Sequence, residues 1–262
     1  WTAHNLTPHG VRSDRPWAPY RELLRLTDGM LYLSRTSQEM FERLYPEAAA
    51  KPATVVPHGL YRGCYPAGCE RRLARERLGL PAGALVASTI GAIESYKGVP
   101  ALVQASVELG EENLWLLVAG KPAGPEVERE VMTAAAGCER VSLHLAYLAD
   151  EDLQTYFAAS DFCVLPYLQT LNSGAAVLAL SFDTPVLCPA AGSLEELAQM
   201  AGQQWVQTYA GGFKASVLRD ALPWASAPRP ASPELPQMHW EHVATLTREF
   251  YRRIVSGDLK NC

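Results

Sequence analysis

The residues best suited to chemistry lie where short apolar runs end in glycine or serine. Asp161-Phe-Cys-Val-Leu-Pro-Tyr167 reads as a buried strand ending at Pro166, followed by a loop, Leu171-Asn-Ser-Gly174. The small residues that follow, Ala175-Ala-Val-Leu-Ala-Leu-Ser181, suit a closely packed helix, and a second short strand is entered at Pro185. A helix that begins beside a glycine presents unpaired N–H groups and the positive end of its dipole to the loop. Anion capture is the chemistry of such a turn, so a phosphorylated ligand is the expected occupant.

The elements that must hold this turn alternate along most of the chain. Strands are expected over residues 84–91, 114–119, 140–145 and 161–165, with helices over 99–109, 126–136 and 150–159 between them. Continuous apolar strands alternating with helices imply a parallel sheet covered on both faces, whose ligands sit at the carboxyl ends of the strands. Residues 1–60 repeat the pattern in miniature, with helices over 18–26 and 37–44 and strands over 30–34 and 53–56. So few strands make only a partial domain, and the chain opens on Trp1, so an upstream portion is expected to be absent. Tyr61 to Gly79, rich in Arg, Gly and Cys, reads as a crossing linker; Ala225 to Pro233 is a proline-rich break before an amphipathic helix over 235–255.

Composition bounds the function. The 262 residues are 48% hydrophobic and 19% charged, enough apolar material for two domains or one large one. No apolar run approaches the ~18–20 residues needed to cross a bilayer, and no signal-peptide pattern opens the chain, so a cytoplasmic location is expected. Residues 1–85 carry 12 basic and 8 acidic side chains and the remainder 11 and 20, so the net charge of −5 hides a positive first segment. That segment suits a solvated basic face or peripheral contact with an anionic membrane. Nucleic acid is disfavoured, because no Lys/Arg stripe is interleaved with aromatics. Cys163 and Cys188 lie in apolar strands and read as reduced core thiols. Cys64 and Cys69 lack the further ligands that a metal site requires, and His239 and His242 form a pair without a third ligand.

The order of motifs carries a resemblance. His4-Asn5, Pro57-His58-Gly59, Gly91 through Tyr96-Lys97-Gly98, Val118-Ala-Gly-Lys121, Leu165-Pro-Tyr167, Ser173-Gly174, Pro185-Val186 and Gly192-Ser-Leu-Glu-Glu196 precede the last helix. Together they resemble a nucleotide-sugar glycosyltransferase of the GT-B fold, most similar to glycosyltransferase family 4, the group 1 transferases. The resemblance implies two Rossmann-like domains across a cleft: a partial acceptor-side domain over 1–60, a linker over 61–83, a donor-binding domain over 84–232, and a last helix over 233–262 that crosses back to the first domain. It implies retaining transfer of a hexose from a UDP- or GDP-sugar to a glycan or lipid-linked acceptor, with no metal and no resident cofactor.

Site residues follow from the same resemblance. Lys97 is expected on the donor diphosphate, where a fixed ammonium is worth roughly 3–4 kcal/mol in the transition state. Gly91, Asn172, Ser173 and Gly174 are expected beside it, His4 at the sugar or acceptor, and Glu196 at the nucleotide ribose. His9 and His58 lie near comparable loop ends. Two features depart from the family pattern. Thr170 and Leu178 stand where its paired glutamates belong, and Ala92 and Glu94 stand where a basic residue usually precedes the Tyr-Lys pair. A glutamate aimed at a diphosphate opposes binding, so Glu94 either faces solvent or marks a different phosphate site. These departures motivate a second reading, a non-catalytic relative that keeps the donor domain. A nicotinamide-dependent Rossmann enzyme is weaker, because no strand-to-helix turn has the Gly-x-Gly-x-x-Gly spacing.

Overall fold

Residues 1–8 and 15–258 are described by the computed structural model, and they form two all-parallel sheets. In the first, β1 (Thr2–Ala3), β2 (Met30–Tyr32) and β3 (Ala53–Val55) lie in that order, with α1 (Ala18–Arg25) and α2 (Arg35–Leu44) as the crossovers. α2 starts after Ser34, whose hydroxyl accepts from the Ser37 N–H at 2.9 Å while the Ser37 hydroxyl accepts from the Ser34 N–H at 3.0 Å. Met30, Tyr32, Phe41 and Tyr45 are fully buried beneath these strands. Aromatic packing rather than ladder length therefore holds the small sheet together.

The second sheet begins after α3 (Arg71–Leu78). Its strands and helices follow in the sequence β4 (Leu85–Ile90), α4 (Val99–Leu109), β5 (Leu114–Ala119), α5 (Pro125–Ala135), β6 (Val141–His144), α6 (Leu153–Ala159), β7 (Phe162–Val164), α7 (Gly174–Ser181), β8 (Val186–Pro189), α8 (Ser193–Ala201), β9 (Val206–Tyr209) and α9 (Ala215–Ala225). The strand order is β6-β5-β4-β7-β8-β9, so the winding reverses between β4 and β7. Buried side chains on both faces, among them Val86, Ala87, Leu116, Leu117, Phe162 and Cys163, explain why these strands read as continuous apolar runs.

Two expectations need correction. The segment expected as a linker contains α3, which ends at Gly79 and packs with Leu80 against Val86, Leu117 and Ala159. Its buried face is Ala74 and Arg75, so its apolar stripe is too thin to be read from the residues. β9 and α9 were also not visible in the pattern, since β9 has a single buried residue, Val206, and α9 carries Pro223 inside it.

The chain passes between the sheets twice, and the two crossings run side by side. Leu60 N–H donates to the Met238 carbonyl at 2.9 Å, and Trp240 Nε1–H donates to the Leu60 carbonyl at 2.7 Å. The last helix, α10 (Trp240–Ser256), then packs Val243, Leu246, Phe250 and Ile254 on Leu31 and Val56 of the first sheet. Among the described residues no helix is long and apolar enough to cross a membrane.

Candidate functional site

At the reversal of winding, Ala87 pairs with Phe162 and Ser88 with Cys163, so the loops that leave β4 and β7 emerge next to one another. They touch. Leu168 N–H donates to the Tyr96 carbonyl at 2.9 Å, and Gly98 lies against Pro166 so closely that a Cβ would fall 2.3 Å from the Pro166 carbonyl oxygen. Gly98 also has φ +66°, a conformation that side chains resist. Gly98→Ala is therefore expected to cost about 2–3 kcal/mol and to part the two loops, a change readable as a lower denaturant midpoint.

The loop after β7 feeds α7. Ser173 is buried and caps the helix, its hydroxyl accepting from the Ala176 N–H at 3.2 Å, so the Gly174 and Ala175 N–H groups head the helix without intrahelical acceptors. Ser193 N–H donates to the Leu171 carbonyl at 3.0 Å, and Gly192, with φ +57°, lets the start of α8 close over Thr170, whose oxygen would lie 2.5 Å from a Cβ. Cys163, in the strand below, is a core thiol whose pKa burial pushes up to about 12. Cys64 and Cys69 are free thiols.

Between the two sheets is a cleft cavity of about 600 Å³. Asn5, Leu6 and Thr7 line it from the first sheet, and Glu94, Tyr96, Thr170, Asn172 and Gly192 line it from the second. Asn172 spans the cleft: its Nδ2 donates to the His4 carbonyl at 2.9 Å, while its Oδ1 is buried without a partner. Lys97 is half-buried, and its Nζ donates to the Ala92 carbonyl at 2.7 Å. Burial lowers the Lys97 pKa, with Glu94 pulling the other way. Glu94 is half-buried in the wall of this cavity, on the same loop as Lys97. Glu94→Gln is expected to tighten binding of a nucleoside diphosphate about fivefold to tenfold in a calorimetric titration, because one like charge is withdrawn.

The remaining expected residues are placed less simply. Gly91 follows β4 and donates its N–H to the Ala119 carbonyl at 2.9 Å, at the mouth of the same strand ends. His4 follows β1 at the cleft, but its side chain is exposed and only its backbone is engaged. Glu196, expected at a ribose, is used otherwise in this structure: its two carboxylate oxygens accept from the backbone N–H groups of Arg35 and Thr36. Those are the first residues of α2, so a carboxylate on α8 of one domain caps a helix of the other, where the helix dipole favours it. The positions of the missing glutamates hold Thr170, in the cavity wall, and Leu178, packed on the core. His58 stands beside Tyr61 near Gly174. Tyr61 had no signal of its own in the sequence, since only the tertiary contact brings it to α7. His239 and His242 are exposed at the start of α10, and among the described residues no group of three or more metal-ligating side chains is found. His9 lies outside the described residues.

Proteins similar to this chain include named glycosyltransferases. A family profile described as Glycosyl transferases group 1 matches residues 84–216. The chain is 32% identical over 260 residues to GDP-mannose:glycolipid 4-beta-D-mannosyltransferase of Xanthomonas campestris pv. campestris, covering 98% of this chain and 69% of that protein. It is 24% identical over 284 residues to D-inositol 3-phosphate glycosyltransferase of Corynebacterium aurimucosum, covering 67% of that protein. Similar solved structures include sucrose-phosphate synthase of Thermosynechococcus elongatus, at a TM-score of 0.75 and 20% identity over 98% of this chain and 67% of that one. Another is Anabaena HepE in complex with UDP and glucose, at a TM-score of 0.73 and 18% identity over 98% of this chain and 71% of that one. With two parallel sheets facing across a cleft and the larger sheet wound about β4 and β7, the chain belongs to the group 1 glycosyl transferases, nucleotide-sugar enzymes of the GT-B fold.

Proposed function

We propose that the chain moves a hexose from a nucleoside-diphosphate sugar to a lipid-linked or glycan acceptor, and that GDP-mannose is the donor. The observation that carries the reading is the contact between the Tyr96–Gly98 loop and the loop leading to α7, at the one place where the strand order reverses. A diphosphate lying there meets the N–H groups of Gly174 and Ala175 and lies within the reach of a lysine that already leans on the loop. Lys97 exchanges the Ala92 carbonyl for a phosphate oxygen as the donor enters. The chemistry is then positioning and charge stabilisation of the leaving diphosphate, with no metal or resident cofactor assigned a step. The donor identity and the lipid-linked acceptor are supported by the likeness to the Xanthomonas GDP-mannose:glycolipid 4-beta-D-mannosyltransferase. Residues 5–8 face the acceptor, His4 orients it from the cleft rim, and the net positive first segment would bring the protein to an anionic membrane surface where such an acceptor resides.

Stereochemistry separates two forms of the reaction. The family resemblance implies retention, whereas the Xanthomonas relative is a 4-beta-D-mannosyltransferase, and a beta linkage requires inversion from an alpha-configured donor. An NMR assignment of the product's anomeric proton decides between them. Incubation of the chain with GDP-mannose, UDP-glucose and a glycolipid acceptor, with free nucleotide measured, tests the function itself. Release of GDP that depends on acceptor supports it; failure of all donors to bind or turn over overturns it.

The second reading, a donor-domain relative without catalysis, is favoured by Thr170 and Leu178 at the glutamate positions and by Glu94 in the cavity wall. A melting temperature raised by GDP, with no transfer to any acceptor, is its signature.

A further inference from the structure

The crossing segment places two side chains, His58 and Tyr61, beside the start of α7. Tyr61 lies along α7: its backbone N–H donates to Ser181 Oγ at 2.9 Å, at the end of the helix, while its hydroxyl reaches the beginning, 3.4 Å from where a Cβ on Gly174 would sit. His58 Nε2 is 3.2 Å from that hydroxyl, and His58 Nδ1 is 2.8 Å from the Gly59 carbonyl. A carbonyl can only accept, so in the neutral ring Nδ1 carries the proton and Nε2 is the acceptor for the phenol. His58 thus holds a hydroxyl donor at the head of the helix. Two residues before Gly174, the buried Oδ1 of Asn172 has no hydrogen-bond partner among the described residues, its amide held in place by the His4 carbonyl. A ligand that brings both anionic oxygens and hydroxyl groups satisfies the two together.

We propose that Tyr61 is a donor-site residue, its hydroxyl donating to the diphosphate held by the Gly174 and Ala175 N–H groups, and that His58 is its positioning residue. The inference rests on the donor-site reading above. When the diphosphate enters, the phenol keeps its proton and shares it in a three-centre hydrogen bond between His58 Nε2, which holds the hydroxyl in place, and a phosphate oxygen, and no proton is transferred. Burial, with Tyr65 and Cys64 alongside, raises the Tyr61 pKa, which keeps the phenol a donor. The hydrogen bond to charged oxygens strengthens as charge accumulates on the leaving group.

The test is titration of GDP and of guanosine, which has the base and ribose but no phosphate, into wild type, Tyr61→Phe, His58→Ala and the double variant. Tyr61→Phe is expected to weaken GDP binding about tenfold, the size of one hydrogen bond to a charged group, and to leave guanosine binding unchanged. His58→Ala should weaken GDP binding by itself and add nothing once Tyr61 is Phe, since it acts through the hydroxyl. Wild-type affinity for GDP in Tyr61→Phe overturns the proposal, as does equal loss of GDP and guanosine, which would mean a structural role only. If wild type binds neither ligand, the donor-site reading fails and this inference with it.

Discussion

Replacing Lys97 with methionine is expected to slow sugar transfer roughly 10²–10³-fold while leaving the protein at least as stable. The two effects have one cause. The ammonium is held half-buried against the Ala92 carbonyl, and burial disfavours its charge, so its pKa in the folded protein lies below the ordinary lysine value of 10.5. A cation whose pKa is lowered on folding subtracts from stability wherever it is charged in both states. That subtraction is present at neutral pH and fades as pH rises through the folded value toward the unfolded one. Methionine removes the penalty and most of the bulk is kept, while the exposed Ala92 carbonyl takes water in place of the lost bond. Melting temperature should therefore be equal or higher in the variant at pH 7, with the gap closing in alkaline buffer. The penalty is repaid only when a diphosphate restores a favourable partner, so GDP should stabilise wild type more than the variant. A variant with full activity, or one that melts lower at pH 7 and equally at high pH, would remove Lys97 from the site.

The second large effect lies beneath the site. Arg75→Ala is expected to destabilise the fold by about 3 kcal/mol, because it removes a buried guanidinium, leaves three backbone carbonyls without their donor and strips a half-buried carboxylate of its inner partner. The Arg75 side chain is only 4% exposed. Its Nε donates to the Ala159 carbonyl at 3.1 Å, Nη1 to Ala82 and Ala84 at 2.6 and 2.9 Å, and Nη2 to Asp161 Oδ2 at 2.8 Å. That same oxygen accepts from Val86 N–H at 2.7 Å, and Arg71 reaches the other carboxylate oxygen from outside. One guanidinium thereby joins α3, the start of β4, the end of α6 and the start of β7, the two central strands beneath the donor loops. Lysine at 75 should not rescue it, since a single ammonium cannot serve acceptors spread around a planar fork. The check is a denaturant midpoint that falls without a change in slope. A loss below about 1 kcal/mol would mean that water replaces the guanidinium at little cost.

Much of the second, larger sheet with its helices was legible because its strands are buried on both faces. Leu114–Ala119 and Val99–Leu109 were read to the residue, since an uninterrupted apolar run and a helix ended by Gly110 leave little latitude. The turn before α7 was legible for a local reason too: Ser173 and Gly174 announce a helix start. α3 was not, because its buried centre is an arginine and its partners are carbonyls contributed by segments 7 to 84 residues away. β9 escaped because an edge strand needs only one apolar face.

The residues by themselves determined the alternation of strands and helices, the exits where loops could bind an anion, and the family to which the motif order points, because periodicity and turn chemistry act over a few neighbours. Tertiary structure alone decided which exits lie side by side. It set β7 beside β4, put Glu94 in the cavity wall, brought Tyr61 along α7, and directed Glu196 to the head of a helix 160 residues earlier. None of these follows from local preference, since each depends on two distant segments burying their surfaces together, and only then does a side chain meet its partner.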